Sequence, residues 1–182
     1  MNKNSLDVLP VKPVESNEKR KIHPILPQID RNKGFLLLLL GSVNSGKSTL
    51  IANLLHNKNM YGGKESAFDG GVFVFSPSIE MDDTMRFVRE HFETYSEYNE
   101  KHLQMIKDRQ MEYGKGKMPK IAVVADDAVG FLPRSFFNFA TKYRHINANV
   151  ILSVQNFRAL LPQARSNANH VIIMNGCSNE NE

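Results

Sequence analysis

The chain reads as an α/β domain built on a mainly parallel, doubly wound sheet. Three observations carry that reading. Apolar runs of strand length recur along the chain, helical patterns lie between them, and the first run breaks into a glycine-rich loop that opens a helix. That break is "FLLLLLGSVNSGKSTL", from Phe35 to Leu50. Strands alternating with helices pack as a parallel sheet covered on both faces.

The elements follow in chain order. Pro10, Pro13, Pro24 and Pro27 punctuate a start rich in Lys, Glu, Asn and Ser. Such a segment buries too little apolar surface to offset its ordering entropy, so residues 1–30 are expected to be a flexible arm and 31–182 the core. "IHPILP", near the arm's end, is expected to lie extended against the domain. Phe35–Leu40 reads as a fully buried strand, because its apolar run is unbroken. A helix follows from Lys47 to about His56, with Leu50, Ile51, Leu54 and Leu55 as its apolar stripe. "GGVFVFSPS" is a second strand, closed by Ser76-Pro77. From Met81 to Tyr113 there is neither Gly nor Pro, so one long helix or two shorter ones fit, until "YGKGKMP" breaks the pattern. "KIAVVADD" is a third strand, "RSFFNFATKYR" a helix and "NANVILSVQ" a fourth strand. "FRALLPQARSNAN" is a short helix or turn before a fifth strand, "HVIIM". The phenylalanines of "FLPRSFFNFATKYR" fit either the core or a subunit seam.

Composition narrows the class. A 182-residue chain with 41% hydrophobic and 23% charged residues is sized for one ordinary globular domain. Cys177 stands alone, which fits a reducing compartment, and the six histidines never pair with cysteine as in a zinc site. No apolar run reaches the ~18 residues of a membrane span, and the N-terminus lacks the apolar stretch of a secretory signal. An intracellular protein without a membrane partner is therefore expected. Most of the net charge of +4 falls in residues 1–33, so the body is nearly neutral. The basic arm reads as a solvated tail, with contact to nucleic acid as the alternative.

The loop after the first strand reads G-x-x-x-x-G-K-S from Gly41 to Ser48, with Ser42, Val43, Asn44 and Ser45 between the glycines. Gly41 and Gly46 allow backbone angles that a Cβ would forbid, so successive N–H groups curl around one anion. The following helix adds the positive end of its dipole. Lys47 then reaches the β- and γ-phosphates, and the Ser48 hydroxyl takes one corner of a magnesium ion. Thr49 packs beside it or meets the α-phosphate side. A strand before and a helical pattern after are the context this motif requires, so a nucleoside triphosphate is the expected ligand.

"IAVVADD" delivers Asp126 and Asp127 at the carboxyl end of a strand, where open α/β sheets bind ligands. Asp126 is the candidate partner of Mg²⁺ opposite Ser48, usually through water. Asp127 is the candidate base that polarises an attacking water. Gln155 closes the next strand, where an amide can meet the γ-phosphate or the lytic water.

With these residues placed, the chain resembles the HerA/FtsK superfamily of ring-forming, DNA-pumping ATPases, and within it the genome-packaging ATPases of large DNA viruses and virophages. "GSVNSGKST", "IAVVADD", "YRHINANVILSVQNF" and "LLPQARSNANHVIIM" carry the resemblance, which runs from about residue 23 to the end. It implies a RecA-like (ASCE) P-loop NTPase core in which the sensor strand separates the Walker A and Walker B strands. It also implies ATP and Mg²⁺ and a homo-oligomeric ring, often a hexamer. Such a ring moves double-stranded DNA into a capsid, with capsid proteins as further partners. The setting implied is the host-cell cytoplasm or the site of virus assembly, with virion association as an extension. In such rings an arginine of one subunit reaches its neighbour's nucleotide. Arg144 matches the family position best and Arg165 is the second candidate, with a surface ion pair as the alternative for either.

Two departures from the family stand out. Its usual Asp-Glu is Asp-Asp here, one methylene shorter at Asp127. The chain also ends shortly after "HVIIM", in "NGCSNENE", as a minimal or truncated core would. Two other readings fit a P-loop: a kinase of a nucleotide or small molecule, and a nucleotide-gated assembly factor that hardly turns over. A GTPase of the common type is disfavoured, because no N-K-x-D segment occurs.

Overall fold

The computed structural model describes residues 22–29, 34–62, 66–114, 116–127 and 132–174. Six strands form one sheet: β1 (Leu36–Leu40), β2 (Val72–Phe75), β3 (Glu93–Tyr95), β4 (Ile121–Ala125), β5 (Ala148–Val154) and β6 (His170–Ile173). Their order is β3-β2-β4-β5-β1-β6, and every neighbouring pair is parallel. The helices are α1 (Lys47–His56), α2 (Arg86–His91), α3 (Glu100–Glu112), α4 (Arg134–Ala140) and α5 (Pro162–Asn167). Single 3₁₀ turns precede α2, β5 and α5.

The alternation of side chains along each strand divides the core into two layers. Leu36, Leu38, Leu40, Val123, Val150 and Leu152 pack on one face with Leu103 and Ile106 of α3, Phe136 and Phe137 of α4, and Ala164 of α5. Leu37, Leu39, Val74, Val124 and Ile151 pack on the other with Ile51, Leu54 and Leu55 of α1 and Val88 of α2. Both faces of the central strands are thus apolar, which is why they read as unbroken runs rather than alternating ones. Phe136 and Phe137 belong to this core, while Phe131 lies outside the described residues.

Two expectations are corrected. From Met81 to Tyr113 the two-helix alternative holds, as α2 and α3, but the strand between them was not expected. Asp82 accepts from the Thr84 amide to start a 3₁₀ turn that leads into α2, and Asn99 accepts from the Lys101 amide to start α3. Between the helices, Glu93–Tyr95 pairs with β2 as the sheet's edge strand. It is short and only half-buried, so it lacks the apolar run that identifies a buried strand. Secondly, "IHPILP" forms a turn in which the Leu26 amide donates to the His23 carbonyl. It still lies against the domain: Ile22 and Leu26 join the second apolar layer, and the Tyr61 hydroxyl donates to the Pro27 carbonyl at 2.8 Å. Residues 1–21 of the expected arm, and Cys177 with the rest of the last eight residues, lie outside the described residues.

Leu38 sits fully buried in β1, between β5 and β6. Leu38→Ala should therefore lower unfolding free energy by about 3 kcal/mol, measured by chemical denaturation at an unchanged m-value.

Candidate functional site

The site lies where the carboxyl ends of β1, β4 and β5 meet. Register fixes this: Leu40 pairs with Val154, and Ala125 pairs with Leu152. The residues that follow β4 and β5 therefore emerge beside the loop that follows β1. The strand order β4-β5-β1 puts the sensor strand between the loop strand and the acidic strand, as the family resemblance implied.

Residues 41–46 arch from β1 into α1. Gly46 has φ 89°, a left-handed conformation that glycine adopts without strain, and Asn44 shares it at φ 61°. Gly41 is needed for a different reason from the one expected. Its φ is ordinary, but a Cβ there would lie 2.4 Å from Ser45 Oγ and 2.8 Å from Met174 Cβ. The loop packs that closely because Met174 follows β6, and its amide donates to the Leu40 carbonyl at 2.7 Å. Sequence reading missed Met174, since nothing in "HVIIM" reveals that β6 adjoins β1.

Helix α1 has no side-chain cap and no acidic residue in its first turn. The positive end of its dipole is thus left for an external anion. Lys47 is buried, and its ammonium lies across the loop, donating to the carbonyls of Gly41 at 2.8 Å and Ser42 at 2.7 Å. A cation held at the loop's concave side, above an uncapped helix, is arranged to receive phosphate oxygens.

The second half of the site comes from β4. Asp126 is buried, and its amide continues the ladder by donating to the Phe75 carbonyl. One carboxylate oxygen accepts from Ser48 Oγ at 2.8 Å and the other from the Asp127 amide at 3.2 Å. The Oδ2 oxygen is thereby oriented towards the first turn of α1, while Oδ1 is held by the backbone after β4. Asp127 turns the chain with φ 53°, in the left-handed region that Asp tolerates better than longer side chains. This gives the shorter acid a physical reason at that position. Its Oδ1 accepts from Gln155 Nε2 at 2.7 Å, so the residues ending β4 and β5 touch directly.

The geometry brings together Gly41, Ser42, Val43, Asn44, Ser45, Gly46, Lys47, Ser48, Thr49, Asp126, Asp127 and Gln155. It does not bring Arg144 there. Arg144 lies just before β5, at the opposite pole of the sheet, where its Nε donates to the Tyr143 hydroxyl at 3.0 Å. The span of β1 alone separates that pole from the loop by about 17 Å, beyond the reach of one arginine. Arg165, in α5, is half-buried with its guanidinium 5.6 Å from the centre of the Phe157 ring.

Ser48 and Asp126 suit Mg²⁺: a hydroxyl and a carboxylate are hard oxygen donors, and their contact puts both beside one position at the helix start. No cluster of three or more His, Cys, Asp or Glu side chains forms a metal site among the described residues. No helix among them is long and apolar enough to cross a membrane.

Solved structures share this fold. The cytoplasmic domain of EssC aligns over 82% of this chain and 34% of its own, with TM-score 0.61 and 15% identity. The DNA-packaging ATPase B204 of Sulfolobus Turreted Icosahedral Virus aligns over 78% of this chain and 76% of its own, with TM-score 0.52 and 16% identity. The genome packaging NTPase B204 of Sulfolobus turreted icosahedral virus 2, in complex with AMP, aligns over 77% and 74%, with TM-score 0.52 and 15% identity. This chain thus spans about a third of the EssC domain. No curated protein sequence matches it. The family model described as poxvirus A32 protein matches residues 28–182, most of the chain. The chain therefore belongs to the poxvirus A32 protein family, and its core is an ATPase fold of the RecA-like P-loop class.

Proposed function

We propose that this protein hydrolyses ATP to drive double-stranded DNA into a viral capsid, working as a homo-oligomeric ring. The observation that carries the hydrolytic part is the 2.8 Å contact between Ser48 and Asp126, which joins the phosphate loop to the acidic strand. Family membership and the likeness to packaging ATPases support the packaging role.

In this reading the amides of residues 41–46 and the start of α1 receive the triphosphate. Lys47 exchanges its carbonyl partners for the β- and γ-phosphate oxygens. Ser48 and Asp126 would hold Mg²⁺, which neutralises charge on those oxygens. Asp127 orients a water against the γ-phosphorus and takes its proton as the new P–O bond forms. The bond to the β-phosphate oxygen breaks, and ADP leaves with that electron pair. Gln155, hydrogen-bonded to Asp127, is placed to exchange that bond for one to the γ-phosphate and so report its loss.

Arg144 is too far from its own chain's loop to act there, so its part in phosphoryl transfer is assigned to a neighbouring copy. Arg165 is the second candidate for the same role. Oligomerisation then completes each site. Capsid components as partners, and a virus-assembly setting, follow from the packaging role.

A kinase or a static assembly factor predicts different behaviour. Duplex DNA should raise the ATPase rate of the multimer severalfold; phosphate transfer to a small acceptor without a DNA effect would contradict the motor reading. Asp127→Asn should keep nucleotide affinity and lower kcat by at least about 100-fold, with Lys47→Ala as the control that loses binding. Unchanged turnover in Asp127→Asn would refute the base role.

A further inference from the structure

We propose that Tyr143 and Asn169 are positioning residues that hold Arg144 as an outward-facing phosphate fork and tie it to the strand bearing the phosphate loop. This rests on the reading of Arg144 as acting on a neighbouring copy's nucleotide.

Tyr143 is buried at the amino ends of β1 and β5. Its hydroxyl oxygen accepts two side-chain hydrogen bonds, from Arg144 Nε and from Asn169 Nδ2, each at 3.0 Å. Asn169 Oδ1 in turn accepts from the Leu36 amide at 2.8 Å, the first residue of β1. One continuous path therefore runs from the guanidinium to the backbone of β1, the strand that leads into Gly41. Room for the ring is made by Gly34, where a Cβ would lie 2.9 Å from Tyr143 Cδ2 and 2.0 Å from the Ala148 carbonyl oxygen.

The way Arg144 is held matters as much as the path. Its guanidinium carbon stands 5.3 Å from the centre of the Tyr143 ring, so ring face and hydroxyl restrain it together. Binding through Nε leaves the two Nη groups, and neither has a hydrogen-bond partner among the described residues. Paired N–H groups are what make arginine a bidentate ligand for phosphate. An exposed arginine otherwise spreads over many rotamers, so fixing Nε removes much of the ordering entropy that a productive contact would cost.

The test is a double-mutant cycle on the full chain, with turnover measured in dilute monomer and in the multimer. Tyr143→Phe keeps the ring but removes both bonds to its hydroxyl, so the melting temperature should fall slightly while nucleotide KM stays unchanged. Multimer kcat should fall about tenfold, and monomer turnover should not move. In an Arg144→Ala background the same substitution should lower multimer kcat no further, because the hydroxyl reaches the neighbouring nucleotide only through Arg144. Asn169→Ala should follow the same pattern with a smaller drop. An equal loss in the Arg144→Ala background, or no loss from Tyr143→Phe while Arg144→Ala slows the multimer, would overturn the positioning role alone. Unchanged multimer turnover in Arg144→Ala would overturn the trans reading, and the positioning role with it.

Discussion

Ser48 touches Asp126 because two strands that are not neighbours end at compatible heights. β1 and β4 flank β5, so the hydroxyl at the start of α1 and the carboxylate beyond β4 must close a gap of two strand spacings, about 10 Å. The loop's arch covers part of that gap, and a buried carboxylate with both oxygens engaged covers the rest. A one-residue slip of β4 against β5 would turn Asp126 towards the other face of the sheet. The apolar packing on both faces, which fixes the register, is in this sense a condition of the chemistry.

The same parallel arrangement gives the molecule two unlike poles. Groups that could grip a triphosphate and a metal gather at the carboxyl ends of the strands. Arg144 and its tyrosine lie at the amino ends. On the proposed trans role of Arg144, a single chain would offer one binding half and one donating half, and the two cannot meet within one copy. A head-to-side association of copies would bring them together, as the ring reading requires, and β1 runs between the two poles.

How much of this was legible follows from how local each signal is. The loop, α1 and the buried strands were readable because each is encoded by adjacent residues: an apolar run, a glycine pair, a stripe at helical spacing. α1 occupies the very residues its stripe delimits. The pairing of Asp126 with Ser48 was readable through strand ends, since parallel sheets collect them on one side. β3 was not, because Glu93–Tyr95 is short, edge-placed and set between two genuine helices. The packing of Met174 against Gly41 and the bond from Asn169 to the Leu36 amide depend on strand order. No window of sequence contains them. The left-handed turn at Asp127 was likewise invisible, although it gives an aspartate a physical reason at that position.

The most direct test follows Mn²⁺ binding by electron paramagnetic resonance, on the full chain with a non-hydrolysable ATP analogue. If Ser48 and Asp126 hold one metal between them, Ser48→Ala and Asp126→Asn should each weaken Mn²⁺ affinity about tenfold or more. The double variant should then lose clearly less than the product of the two. Unchanged affinity in Asp126→Asn, or losses that multiply as for independent sites, would contradict a shared site and leave the loop as an anion-binding turn alone.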